Sequence, residues 1–170
     1  MIRARIHQLA ETQHVALLLS AAAAAVLAAA LFFQHVLGYN PCALCYWQRG
    51  PYYAALALFL PPLLFGRRAI VPVLAVAALL FFADAAIAGY HVGVEQGWWA
   101  GPATCSASGL PDDPAAALDQ ILAAPVVRCD EIPWSFLGLS MAGWNMLIAL
   151  ALGAFSVYAI GRQREGDHGQ

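Results

Sequence analysis

Cys42 and Cys45 stand three residues apart in NPCALCYWQRGP, with Arg49 four residues after the second cysteine and a proline at each end of the stretch. Two further cysteines, Cys105 and Cys129, lie far downstream with 23 residues between them. A C-x-x-C pair has three chemical uses: holding a metal, exchanging two electrons as dithiol and disulfide, or stapling a turn. Asn40 suits a helix N-cap and Pro41 the first helical position, so a helix is expected to start here. Cys42 then falls in the first turn, where unpaired backbone N–H groups and the helix dipole stabilise a thiolate. Arg49 shares the face of Cys45 one turn on, a cation placed to favour the charged sulfur or to bind an anionic or carbonyl-bearing acceptor.

The elements that carry these residues follow from composition. Of 170 residues, 62% are hydrophobic and 11% charged, against roughly 25% charged in an ordinary soluble domain. There is no lysine. So little polar surface cannot cover a water-soluble globule, and lipid is the expected solvent. The arginines are scattered, with no basic stripe interleaved with aromatics, which argues against nucleic acid.

Four apolar runs predict an all-α membrane protein, a bundle of four transmembrane helices over residues 15–37, 41–65, 69–90 and 136–160. The first holds 19 uncharged residues from Val15 to Phe33, close to the ~20 needed to cross a bilayer. It runs on into FFQHV rather than a small-residue cleavage site, so a retained helix is favoured over a cleaved signal. The outer loops are 38–50, overlapping the start of the second span, and a long one over 91–135. Within the latter, Asp113-Pro114 and Pro125 bracket a short helix with Leu118, Ile121 and Leu122 on one face, suited to the membrane surface. Trp98 and Trp99 suit the interfacial aromatic belt.

Charge sets the orientation. Arg3, Arg5, Arg67, Arg68, Arg162 and Arg164 flank one side, and only Arg49 and Arg128 the other. By the positive-inside tendency both termini are cytoplasmic. All four cysteines then face outward, which in a bacterium is the oxidising periplasm, where disulfides persist. Four cysteines allow three pairings, of which 42–45 with 105–129 is favoured. Chain entropy stabilises a four-residue ring by roughly 2 kcal/mol and a 25-residue ring by roughly 3.5 kcal/mol, so the short link is the more easily reduced. A zinc site is not expected, because a second C-x-x-C or C-x-x-H knuckle is absent. Asp84 is the one acid within a span, and such a residue is a functional candidate by default.

Three stretches, FQHVLGYNPCALCYWQR, GYHVGVEQGWWAGPATC and RCDEIPWSFLGLSMAGWNML, together with the four-span layout, resemble the DsbB family of membrane disulfide-generating proteins. The DsbA–DsbB–quinone route is what keeps the bacterial periplasm oxidising. The resemblance implies an inner-membrane enzyme that reoxidises a DsbA-like periplasmic thiol oxidase. The partner would attack the loop pair at Cys105, Cys129 would pass electrons to Cys42–Cys45, and Cys45 would deliver them to a quinone, ubiquinone or menaquinone. Arg49 matches the family's arginine beside the quinone, and His91 its quinone-associated histidine. Disulfide exchange conserves oxidising equivalents, so two electrons must leave to an acceptor that is not a thiol. No nucleotide-binding glycine loop, haem-attachment C-x-x-C-H or flavin motif is present to receive them. The alternatives are a vitamin K epoxide reductase-like or reductive relay, and a scaffold whose disulfides only brace the loop.

Overall fold

A computed structural model of the chain describes residues 2–65, 70–102, 113–115 and 127–168. Four long helices dominate it: α1 (Ile2–His35), α2 (Ala43–Phe65), α3 (Ile70–Glu95) and α4 (Met141–His168). Between α3 and α4 a two-residue pair of strands, β1 (Ser135–Phe136) and β2 (Leu139–Ser140), forms an antiparallel hairpin.

Among the described residues, three segments are long and apolar enough to cross a membrane: Gln13–His35, Ile70–Glu95 and Met141–Gln163. α2 is 23 residues long, about 34 Å of helix, and carries Gln48 and Arg49 near its start. Each helix buries a narrow stripe and turns other apolar side chains outward, as expected of a lipid-facing bundle. On α1 the inward stripe is Ala16, Leu19, Ala23 and Leu27, while Leu17, Leu18, Leu31 and Phe32 are exposed. The spacing of three and four residues puts the buried set on one face.

One core joins all four helices. Tyr52, Ala55 and Phe59 of α2 meet Leu74, Ala77 and Phe81 of α3, the α1 stripe and Ala159 of α4. The Tyr52 and Phe81 rings lie 5.9 Å apart. α1 packs on α2, α2 on α3, and α3 most extensively on α4. Small residues let these last two approach: a Cβ at Gly153 would lie 2.9 Å from the Phe82 ring, and one at Gly89 would lie 3.4 Å from the Met146 sulfur.

Three helix ends near the cysteines and the loop before α4 depart from the sequence reading. α2 begins at Ala43, so Cys42 itself occupies the cap position given above to Asn40. α3 continues past Tyr90 to Glu95 and closes in a Schellman turn: Trp98 N–H donates to the Gly93 carbonyl (2.8 Å) and Gly97 N–H to that of Val94 (3.1 Å). Gly97 supplies the positive φ of 71° that this turn demands. The last helix was expected from residue 136 and starts at Met141. Leu137 and Gly138, with φ of 52° and 79°, form a two-residue turn whose twist suits a hairpin, and the Ser140 hydroxyl then caps α4 by accepting the Gly143 N–H at 3.1 Å. Hydrophobicity alone cannot register such a turn, because Phe136, Leu137 and Leu139 are as apolar as the helix they precede. The expected surface helix over 114–124 falls largely outside the described residues, as does Cys105.

Candidate functional site

At the start of α2 the Cys42 sulfur does the work of a capping oxygen. It accepts the Cys45 backbone N–H at 3.3 Å, one of the donors that a helix N-terminus leaves without an intrahelical partner. The Cys45 sulfur stands 3.0 Å from it, so the pair is within thiol–thiolate hydrogen-bonding range. Cys42, Cys45 and Cys129 are free thiols. Cys42 and Leu44 are buried against Val94 of α3, with Cys129 packed on the same cluster.

Cys129 reaches this cluster from the loop before the hairpin. Its neighbour Arg128 folds back on Asp130 through two bonds of 2.9 and 2.5 Å, all exposed. That contact holds the Asp130 carboxyl below the usual carboxylate range. The Cys129 thiol is pushed above its ordinary range by burial. The Leu44 and Ala43 backbone N–H groups oppose this, and the adjoining Cys42 sulfur adds to it.

His91 lies beneath the sulfurs on α3, buried, with Nε2 3.6 Å from the Cys42 sulfur. The same nitrogen is 3.9 Å from Oε1 of Glu95, one helical turn on, and Glu95 in turn accepts the Ser140 hydroxyl. On its other side Nδ1 meets the Gln48 amide nitrogen at 2.7 Å. Gln48 Oε1 accepts from Asn145 Nδ2 (2.8 Å), which also donates to Asp84 Oδ2 (2.9 Å). The Tyr52 hydroxyl completes the set by donating to Asn145 Oδ1 at 2.7 Å. Asp84 is thus fully buried inside the bundle, and its Oδ1 has no hydrogen-bond partner among the described residues.

The donor atoms of Cys42, His91 and Cys129 lie within 4.8 Å of one another, a combination that sequence spacing did not reveal. These are metal-ligand types. Separately, the Cys42 and Cys45 sulfurs lie 3.0 Å apart, close enough for sulfur–sulfur exchange.

Beside the sulfurs is a cavity of about 590 Å³, within the range of small-molecule sites. Its wall is apolar, with Phe33, Trp134, Phe136 and Trp144 among its lining. Cys45, Gln48, Arg49, His91 and Asn145 supply the polar patch. Arg49 is held on the α1 side: Nη1 donates to Gln34 Oε1 at 2.6 Å, Nη2 to the Ala30 carbonyl at 3.4 Å, and the guanidinium lies 5.2 Å from the Tyr46 ring centre. The sequence reading placed Arg49 to favour the charged Cys45 sulfur or to bind an anionic or carbonyl-bearing acceptor. The structure ties its guanidinium to α1 and keeps it, with Cys45, in the cavity wall.

Compared with known proteins, residues 12–159 match the family model described as disulfide bond formation protein DsbB. The chain belongs to the DsbB family. It is 32% identical to disulfide bond formation protein B of Aeromonas hydrophila, over 96% of this chain and 94% of that protein. It is 31% identical to the Aromatoleum aromaticum protein of the same name, over 80% and 84%, and 34% identical to the one from Methylococcus capsulatus, over 75% and 81%. For a DsbB-family protein the relevant geometry is one focus, in which Cys42, Cys45, Cys129 and His91 meet beside an apolar cavity. Gln48, Asn145 and Tyr52 were not singled out in the sequence. The mark they left was a polar residue in an apolar helix, as with Asn145 in SMAGWNML, a residue type that is costly in lipid unless paired.

Proposed function

We propose that this protein is a quinone-dependent thiol oxidoreductase of the bacterial inner membrane, which reoxidises a DsbA-like periplasmic thiol oxidase. In this reading α2 is a fourth membrane span, both termini are cytoplasmic and the four cysteines are periplasmic. The observation that carries it is the meeting of Cys129 with Cys42 and Cys45 at the edge of the apolar cavity.

The exchange balances in two stages. The reduced partner's thiolate attacks the Cys105–Cys129 disulfide at Cys105, and Cys129 leaves as a thiolate. The partner's second thiol then resolves the mixed disulfide, leaving the partner oxidised and Cys105 and Cys129 as a dithiol. Cys129 next attacks the Cys42–Cys45 disulfide at Cys42, and Cys105 resolves the resulting bond, so the loop disulfide returns and Cys42 and Cys45 hold two electrons and two protons. The Cys45 backbone N–H and the His91 Nε2 edge face the Cys42 sulfur and stabilise its charge as bonds break.

The cavity suits a quinone: it is apolar enough for a ring and prenyl chain, with the Arg49 guanidinium in its wall available to a carbonyl oxygen, while Gln48 and His91, bonded to one another, line it beside Cys45. Bound there, a quinone supplies the two-electron sink that thiol exchange lacks. Cys45 lines that cavity and Cys42 does not, so Cys45 is the sulfur that faces the acceptor. Arg49, anchored by Gln34 and the Ala30 carbonyl, is positioned to hold an oxygen rather than to swing.

The test is reconstitution. Purified protein, reduced DsbA-type protein and ubiquinone or menaquinone are mixed, and quinone absorbance is followed. Turnover should vanish in Cys42→Ser and Cys45→Ser while helicity is unchanged, and Cys129→Ser should accumulate an adduct with the partner through Cys105. Full turnover in either C-x-x-C variant would reject the proposal.

A further inference from the structure

The buried polar side chains below the sulfurs form one chain across three helices, and its hydrogen-bond direction can be followed atom by atom. It begins at Asp84 on α3. Oδ2 of this carboxyl accepts from Asn145 Nδ2 on α4 at 2.9 Å. Asn145 is oriented from both ends, since its Oδ1 receives the Tyr52 hydroxyl at 2.7 Å. Its Nδ2 therefore also donates to Gln48, whose Oε1 lies 2.8 Å away on α2. With its oxygen so engaged, Gln48 turns its amide nitrogen to His91 Nδ1, 2.7 Å away. The same nitrogen also donates to the Leu44 carbonyl at 3.2 Å.

An amide nitrogen cannot accept, so Nδ1 of His91 is the acceptor in that contact and a neutral imidazole carries its proton on Nε2. The surroundings of Nε2 agree. Its neighbours are the Cys42 sulfur at 3.6 Å and Glu95 Oε1 at 3.9 Å, both acceptors.

We infer that Asp84 is a positioning residue which, through Asn145 and Gln48, locks His91 as the Nε2–H tautomer and so aims an N–H at the Cys42 sulfur. This rests on the reading of Cys42 as a redox thiol. Asp84 sits seven residues before His91, about 10 Å along α3, and acts through the two amides rather than by contact with the reacting atoms. The arrangement needs an acceptor at position 84, not a charge, because a carboxyl oxygen and an amide oxygen present the same face to Asn145. It also gives a reason for an acid on an otherwise apolar stretch of helix, FFADAAIAGY, where a polar side chain is costly unless it has partners.

The experiment reads the tautomer directly. Full-length, reduced protein labelled at histidine is studied in detergent by 15N and 13C NMR, with His91 assigned through the loss of its signals in His91→Gln. The wild type should show Nε2–H and an unprotonated Nδ1. Asp84→Leu, which removes the acceptor, should give a mixture of tautomers, and iodoacetamide should alkylate Cys42 about tenfold more slowly, the scale of one hydrogen bond to a charged group. Asp84→Asn should keep the wild-type tautomer, because it can still turn an oxygen to Asn145. Gln48→Glu places an acceptor beside Nδ1 and should move the proton there, which provides a test should Asp84→Leu not fold.

An Nδ1–H wild type would overturn the inference. So would an unshifted tautomer in Asp84→Leu or in Gln48→Glu, or an Asp84→Asn protein that behaves as Asp84→Leu does. Quinone turnover does not enter these readouts. A protein inactive toward quinone but carrying Nε2–H refutes the proposed function and leaves this inference standing, while an active protein with Nδ1–H does the reverse.

Discussion

The Tyr52 hydroxyl donates to Oδ1 of Asn145 across 2.7 Å, linking α2 to α4 through the centre of the bundle. Tyr52 is buried, and its ring already packs on Phe81. Tyr52→Phe keeps that packing and removes one bond. A buried acceptor left unpaired costs about 1–3 kcal/mol in a soluble protein, but hydrogen bonds within membrane bundles average about 0.6 kcal/mol, because the unfolded segments also find partners in lipid. The membrane figure governs here, so Tyr52→Phe should lose ~1 kcal/mol or less in reversible unfolding in detergent or bicelles.

Gly93 and Gly153 look alike in sequence and should respond differently to alanine. A Cβ at Gly93 would lie 2.0 Å from the Trp99 ring, and that ring is fixed: it stacks on Tyr90 at 5.8 Å, and its Nε1 donates to the Tyr90 carbonyl at 2.9 Å. At Gly153 the nearest atom is the Phe82 ring at 2.9 Å, part of a partly exposed side chain able to turn toward lipid. Gly93→Ala should therefore cost about 1–3 kcal/mol and change tryptophan emission as Trp99 leaves its seat. Gly153→Ala should cost well under 1 kcal/mol. Thermal unfolding and fluorescence of the two variants check this.

Cys129 should be slow to ionise. Burial raises its thiol above the ordinary range, so at neutral pH the thiolate is a smaller fraction than in free cysteine, whose pKa is ~8.5. In Cys105→Ser, alkylation of Cys129 should keep rising with pH beyond the point at which free cysteine has levelled off. Mass-resolved iodoacetamide labelling across pH 7–10 measures this, and a midpoint at or below that of free cysteine would contradict it.

Arg49 is held by Gln34 as well as by the Ala30 carbonyl. Lysine carries the charge but cannot reproduce a planar two-armed grip. In the quinone assay Arg49→Lys should raise the apparent KM for quinone roughly tenfold, one hydrogen bond to a charged group being worth about that factor. Gln34→Leu should raise it by less, since the Ala30 contact survives. The KM for the protein thiol donor should stay unchanged in both.

Sequence alone made the lipid setting and the helical class legible, because both depend on hydrophobic run length and on the scarcity of charge. The C-x-x-C at a helix start was legible for the same local reason: Asn40, Pro41 and the apolar run after Cys45 are signals between near neighbours. Local signals also erred locally. The hairpin at Leu137-Gly138 was hidden inside an apolar run, and the α2 start was placed two residues early.

Tertiary structure decided which distant residues share a site. Nothing in the spacing of Cys42, His91 and Cys129 requires their donor atoms to lie within 4.8 Å of one another. That depends on how α2 packs on α3 and where the loop before α4 returns. Asp84 was visible as an acid in an apolar helix, but its neighbours Asn145 and Gln48 come from two other helices. A hydrogen bond across 61 or 97 residues is set by helix rotation and register, which local composition does not encode and only the packed bundle fixes.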